Sequence, residues 1–181
     1  MLFYRYEKLI AIDKTSNTTN FVGSDPNPKT LLGFKTSVTY KKFLISAAAH
    51  GNFGAHIYNE NANAFNFLGN IKQYNLNPRY IGAGEGPDNP LQQSTRFLES
   101  GNFVKIDNVT LRYNLGDIKN SPIKGVSIYI QASNLHTFTK YSGFDPEVNV
   151  DKKVGSTSSL GIDYSAYPTA KSFLIGVNFS L

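Results

Sequence analysis

A chain of 181 residues, 40% hydrophobic and 13% aromatic, can bury one sizeable core, and its formal charge of +5 is too small to keep it unfolded. Charged residues make up only 17%, against about 25% in ordinary soluble domains, while 13 Phe and 11 Tyr stand among dense Asn, Ser and Thr. The absence of cysteine excludes a disulfide scaffold and a thiolate zinc site, and basic residues adjacent only at Lys41-Lys42 and Lys152-Lys153 make no nucleic-acid patch.

No apolar run reaches the ~18–20 residues of a membrane helix, and residues 1–8 show no export leader. The first regular segment, residues 4–12, places Tyr4, Tyr6, Ile10 and Ile12 on one side of a strand. Residues 34–40 set Phe34, Val38 and Tyr40 against Lys35, Ser37 and Thr39, and the strand is long enough to cross a bilayer only if residues 30–33 belong to it. Lys41-Lys42 leaves room only for a tight hairpin. Residues 43–53 then oppose Phe43, Ile45, Ala47, Ala49 and Phe53 to Ser46, Ala48, His50 and Asn52, with Leu44 an apolar exception.

A long link rich in Asn, Gly and Pro follows at 54–101. Residues 103–115 give Val109, Leu111, Tyr113 and Leu115 on one face and Asn108, Thr110, Arg112 and Asn114 on the other, with Val104 and Ile106 out of step. After a short link at 116–125, Val126, Ile128, Ile130 and Ala132 oppose Ser127, Tyr129, Gln131 and Ser133. A second long link, 139–170, leads to residues 171–181, where Phe173, Ile175, Val177 and Phe179 share a face. No long window carries the helical spacing, so the fold class is all-β.

Two long connections are rare in a compact soluble domain, where the median is about 4–6 residues. Outer-membrane barrels alternate short turns with long outer loops in this way. If the Lys41-Lys42 turn is periplasmic, parity brings Leu181 back to the same side. Five or six strands cannot close a barrel, because bilayer-spanning strands need every edge paired and single-chain barrels have at least ~8. The chain therefore reads as the C-terminal strands of a large transmembrane antiparallel β-barrel.

Residues 100–115 and the stretch from Val126 through Asn134-Leu-His-Thr-Phe-Thr-Lys-Tyr-Ser-Gly-Phe-Asp-Pro146 to Glu147 resemble the C-terminal barrel of SusC/RagA-type TonB-dependent transporters. Residues 166–181 resemble that family's last strand, and residues 28–59, with Gly33-Phe34, Tyr40-Lys-Lys-Phe43 and Ile57-Tyr-Asn59, the hairpin before it. The resemblance implies about 5–6 strands of a barrel of about 22, in the outer membrane of Bacteroidetes. It also implies import of oligosaccharides or peptides, a SusD-like surface lipoprotein as lid, and energy from the TonB complex through a plug. Neither plug nor TonB box is matched in these residues, so the remainder of the transporter is an expected partner. In this frame Asn108, Thr110, Arg112, Asn114, Ser127, Tyr129, Gln131 and Ser133 are lumen-facing candidates. Val109, Leu111, Tyr113, Val126, Ile128, Ile130, Phe173, Ile175, Val177 and Phe179 are lipid-facing candidates. The alternative is a soluble β-sandwich carbohydrate-binding module, which would bury these apolar faces against one another.

Catalytic, metal and cofactor sites are not expected. His50, His56 and His136 lack ligand spacing. Asp145, Glu147 and Asp151 read as loop acids rather than a glycosidase pair, and Gly82-Ala-Gly-Glu-Gly86 lacks the strand-to-helix context of a phosphate cradle. Tyr4, Tyr6, Tyr40, Tyr113 and Phe138 suit interfacial girdles. Tyr58, Phe65, Phe67, Tyr74 and Tyr80 stack on sugars, meet a lid or pack the loop on itself, the last being commonest.

Overall fold

The computed structural model describes residues 3–5, 8–13, 18–21, 24–66, 68–73, 75–76, 78, 95–148, 160–164 and 166–180. Its strands are β1 (Phe3–Arg5), β2 (Lys8–Asp13), β3 (Thr18–Phe21), β4 (Thr30–Tyr40), β5 (Phe43–Phe53), β6 (His56–Asn59), β7 (Leu98–Ser100), β8 (Phe103–Gly116), β9 (Lys124–Thr139), β10 (Ile162–Asp163) and β11 (Ser172–Ser180), with a helix α1 (Glu60–Phe65) after β6. Two compact units result, one of residues 31–51, 103–138 and 169–181, the other of residues 1–30, 52–102 and 139–168.

The first unit is built on a sheet in the order β11-β9-β8-β5-β4. Residues 30–33 do belong to β4, which has 11 residues like β5, while β8, β9 and β11 have 14, 16 and 9. All reach the ~9–11 residues of a bilayer-spanning strand. In the Lys41-Lys42 turn Lys41 takes φ +52°, the positive value that lets two twisted strands fold straight back.

β11 and β9 pair antiparallel, with Phe173 opposite Ala132, Ile175 opposite Ile130 and Val177 opposite Ile128. That register gathers the apolar residues of both strands on one face. Ser172–Ser133, Leu174–Gln131, Gly176–Tyr129 and Asn178–Ser127 pair on the other. The apolar side chains stay open, Ile175 at 71% and Ile128 at 40% exposure. A sandwich would press them together across a core, whereas here they lie side by side in one sheet. Past Asn178 the register shifts before Ser180 meets Lys124, and Gly125 at φ +59° takes up the extra β9 residue as a bulge.

β8 changes face part-way along. The Phe43 and Tyr113 rings meet at 4.8 Å, so these two share a face. His50 Nδ1 lies 2.7 Å from Asp107 Oδ1, so those two also share one. Strict alternation puts Phe43 and His50 on opposite faces but Tyr113 and Asp107 on the same face, so one strand must slip by a residue. Exposure locates the slip in β8. Val104 is open while Phe103 and Lys105 are buried, yet further along Leu111 is the open residue. The extra residue between Lys105 and Leu111 explains why Val104 and Ile106 are out of step in the sequence.

In the second unit, residues 4–12 do not form one strand. Phe3 pairs with Ile10 and Arg5 with Lys8, so β1 folds back onto β2, which pairs in turn with β3. The turn brings odd positions opposite even ones. Tyr4 is paired with Leu9, and Ile10 with Phe3, across this hairpin rather than along one strand. Tyr6 lies outside the described residues.

A second small sheet runs β10-β6-β7, with β6 parallel to β10 and antiparallel to β7. Its core is Tyr58, Ala62 and Phe97, flanked by Leu98 and Ile162, and the Tyr58 and Phe97 rings meet edge to face at 6.4 Å. Helix α1 has six residues, too short to leave a helical period in the sequence. What starts it is Asn59, whose Oδ1 accepts the Ala62 N–H at 2.9 Å as an N-cap.

Candidate functional site

On the apolar face of the first unit, Ile128, Ile130, Phe173, Ile175, Val177 and Phe179 are all exposed. Leu111 is open as well, and Val109 and Tyr113 are half-buried. Val126 differs: it is buried beside the Gly125 bulge.

The polar face is held by packing around one glycine. A Cβ on Gly176 would stand 2.5 Å from Cζ and Oη of Tyr129, so the ring lies flat across the glycine of the neighbouring strand. On the other side of Tyr129 the Arg112 guanidinium sits 5.8 Å from the ring centroid, a cation–π contact. Arg112 Nε is closed off from solvent without a hydrogen-bond partner. Gln131 Nε2 donates to Ser133 Oγ at 3.3 Å, and Ser127 is buried. Asn108 lies in the stretch where β8 slips, Thr110 is half-buried, and Asn114 is exposed with its N–H donating to the Lys42 carbonyl at 2.8 Å.

Arg112 is the one charged residue among the lumen-facing candidates. The β8 slip adds Lys105 and Asp107 to their face, beside the His50 ring that the alternation of β5 already places there and that meets Phe103 edge-on at 5.4 Å. Alternation counted without a break carries Asp107 and Lys105 to the apolar side. The out-of-step Val104 and Ile106 were the signal that could have corrected it.

Two buried carboxylates organise the second unit. Glu99 Oε1 accepts from Ser142 Oγ at 2.5 Å and Asn59 Nδ2 at 3.2 Å, and its Oε2 accepts the Ser142 N–H at 2.9 Å. Asp163 takes the Tyr141 hydroxyl at 2.6 Å and Asn61 Nδ2 at 3.3 Å. The Thr-Lys-Tyr-Ser-Gly run inside the motif that carried the family resemblance is thus a clasp. Gly143 is required because a Cβ there would fall 2.4 Å from the Tyr141 ring. Burial pushes the Glu60 carboxyl up from the usual carboxylate range, partly countered by Asn63 Nδ2, which donates to both its oxygens. Burial, and then the charge of Glu60, push the Tyr58 hydroxyl up as well.

The remaining candidates have ordinary surroundings. Asp145 Oδ1 accepts the Glu147 N–H at 3.0 Å, a turn-closing bond. His136 lies edge-on to Phe138 at 4.5 Å. Among the described residues no three His, Asp or Glu come together. Tyr40 and Phe138 are exposed, as a girdle requires, whereas Tyr58 is core. Asp151, Phe67, Tyr74, Tyr80 and residues 82–86 lie outside the described residues.

No family model matches the sequence. It is 26% identical over 164 residues to TonB-dependent receptor P3 of Formosa agariphila, across 85% of this chain and 16% of that protein. With TonB-dependent receptor SusC of Bacteroides thetaiotaomicron the identity is 25% over 181 residues, across 92% of this chain and 17% of the relative. The fold matches the solved RagAB peptide importer in its closed-closed state at TM-score 0.74 and 20% identity, over 94% of this chain and 21% of that one. In the open-open state the TM-score is 0.72 at 22% identity, over 98% and 21%. The chain is SusC/RagA-like. It spans about a sixth of the length of the curated relatives it matches. Those relatives are receptors rather than enzymes, and this SusC/RagA-like chain is a piece of a barrel rather than a whole one.

Proposed function

We propose that these residues form part of the barrel wall and outward loops of a TonB-linked outer-membrane importer of oligosaccharides or peptides. One observation carries the reading: β9 and β11 align their large apolar side chains on a single exposed face, in a fold matching RagAB. Water disfavours so much open apolar surface, and lipid accepts it. Val109, Leu111, Tyr113, Val126, Ile128, Ile130, Phe173, Ile175, Val177 and Phe179 then face lipid. Asn108, Thr110, Arg112, Asn114, Ser127, Tyr129, Gln131 and Ser133 face the lumen, which suits passage of hydrated solutes or contact with a plug. The likeness of residues 166–181 to the family's last strand supports a C-terminal position in the barrel. The match to RagAB supports a SusD-like lipoprotein as the lid, with the TonB complex acting through a plug elsewhere in the transporter.

The test is native purification of the polypeptide that carries these residues, with intact masses of everything that co-elutes. A detergent-dependent complex of a large barrel chain with a surface lipoprotein is expected. A lone water-soluble species of about 20.0 kDa overturns the reading.

A further inference from the structure

The second unit contains a cleft of about 220 Å³ lined by Asn59, Asn61, Asn66, Ser142, Phe65 and Phe144, together with small residues. Its chemistry is specific. Among the described residues no titratable side chain lines it, so a charged guest would lose hydration without a counter-charge from them. Two aromatic rings stand open at its rim, Phe65 at 51% and Phe144 at 77% exposure. Carboxamides carry both donors and acceptors.

The polar lining is fixed from behind. Asn59 and Ser142 are bonded to Glu99, and Asn61 to Asp163. Asn59 is further held by capping α1. Binding therefore does not have to order these groups. The volume lies below the ~300–1,000 Å³ of pockets for drug-sized ligands, which suits a single ring.

We infer that this cleft binds one neutral sugar ring of an oligosaccharide. The apolar C–H face of a pyranose matches the electron-rich face of Phe144 or Phe65, and its hydroxyls match the carboxamides of Asn61 and Asn66. The inference rests on the importer reading and narrows it, by giving the loop unit its own ligand contact.

The full-length transporter, purified in detergent with whatever co-purifies, is titrated calorimetrically with maltohexaose, cellohexaose and mannohexaose. Hexagalacturonate serves as the anionic control and a neutral hexapeptide as the competing class. At least one neutral hexasaccharide should bind, with Phe144→Ala weakening it about tenfold, Phe144→Tyr retaining it, and hexagalacturonate bound more weakly. Phe144 is so exposed that its truncation does not threaten folding.

The inference is overturned if no neutral hexasaccharide binds, or if binding is indifferent to both Phe144→Ala and Phe65→Ala. A Phe144-dependent affinity for the peptide alone overturns it too, as does loss of a co-purifying lipoprotein from Phe144→Ala, which makes the cleft a protein-docking surface. The importer reading is checked separately, by uptake of the labelled ligand in cells with and without the transporter. Unchanged uptake after its removal sinks that reading, whereas the failures above leave it standing.

Discussion

The ring of Tyr129 lies across Gly176, two residues paired on adjacent strands, so closely that a single added methyl at Gly176 would meet it at 2.5 Å. Glycine weakens a strand on its own. Here it makes the space that keeps the tyrosine flat and within reach of Arg112.

Gly176→Ala should therefore lift the ring and cost about 1–3 kcal/mol, as overpacking does. Urea unfolding of the full-length barrel in detergent measures it. Adding Tyr129→Ala should recover most of the loss, so the two costs are non-additive. Full additivity would show that the ring and the glycine do not communicate.

Ile128→Arg should cost about 2–4 kcal/mol if the residue faces lipid near the bilayer midplane. Gln131→Arg, on the opposite face, should cost much less under the same conditions. Equal costs in the same unfolding assay would count against the assignment of faces.

Tyr141→Phe removes the hydroxyl that donates to buried Asp163, leaving the carboxylate one bond short. A loss of about 1–3 kcal/mol is expected, confined to the second unit. Hydrogen exchange of residues 56–63 should speed up, while amides of β9 and β11 keep their protection. Uniform acceleration throughout would contradict a local clasp.

Glu60 gives a pH dependence of definite sign. Its carboxyl is raised in the folded state by burial from an unfolded value of 4.5. The folded form then binds the proton more tightly, so its contribution is fully present below the unfolded value and is lost as pH rises through the folded one. Exchange of the α1 amides, corrected for intrinsic rates, should accelerate over that rise. Glu60→Gln should flatten the profile, and an unchanged slope in that variant would assign the effect elsewhere.

Much of the first unit was legible because alternation is a local signal. Ile128 and Ile130, or Phe173 and Ile175, declare their face two residues at a time, and the Lys41-Lys42 turn declares itself by its brevity. Legibility failed where the count is interrupted without a marker: the slip in β8 and the fold-back between β1 and β2 each change parity, and neither contains a Gly or Pro to announce it. The clasp of the second unit was illegible for another reason. Asn59 meets Glu99 across 40 residues and Asn61 meets Asp163 across 102, and single hydrogen bonds at such separations have no period to detect. Gly143 was visible as a glycine, but its reason, the Tyr141 ring beside it, was not.

The position of β6 between β7 and β10 also sets an order of events. β10 follows β8 and β9 in the chain, so the central strand of the small sheet waits for its second neighbour until those wall strands have already been made. Closing contacts 102 residues apart is entropically slow. The second unit should be the last part of this region to mature, and until then Tyr58 and Phe97 are open to chaperones and proteases.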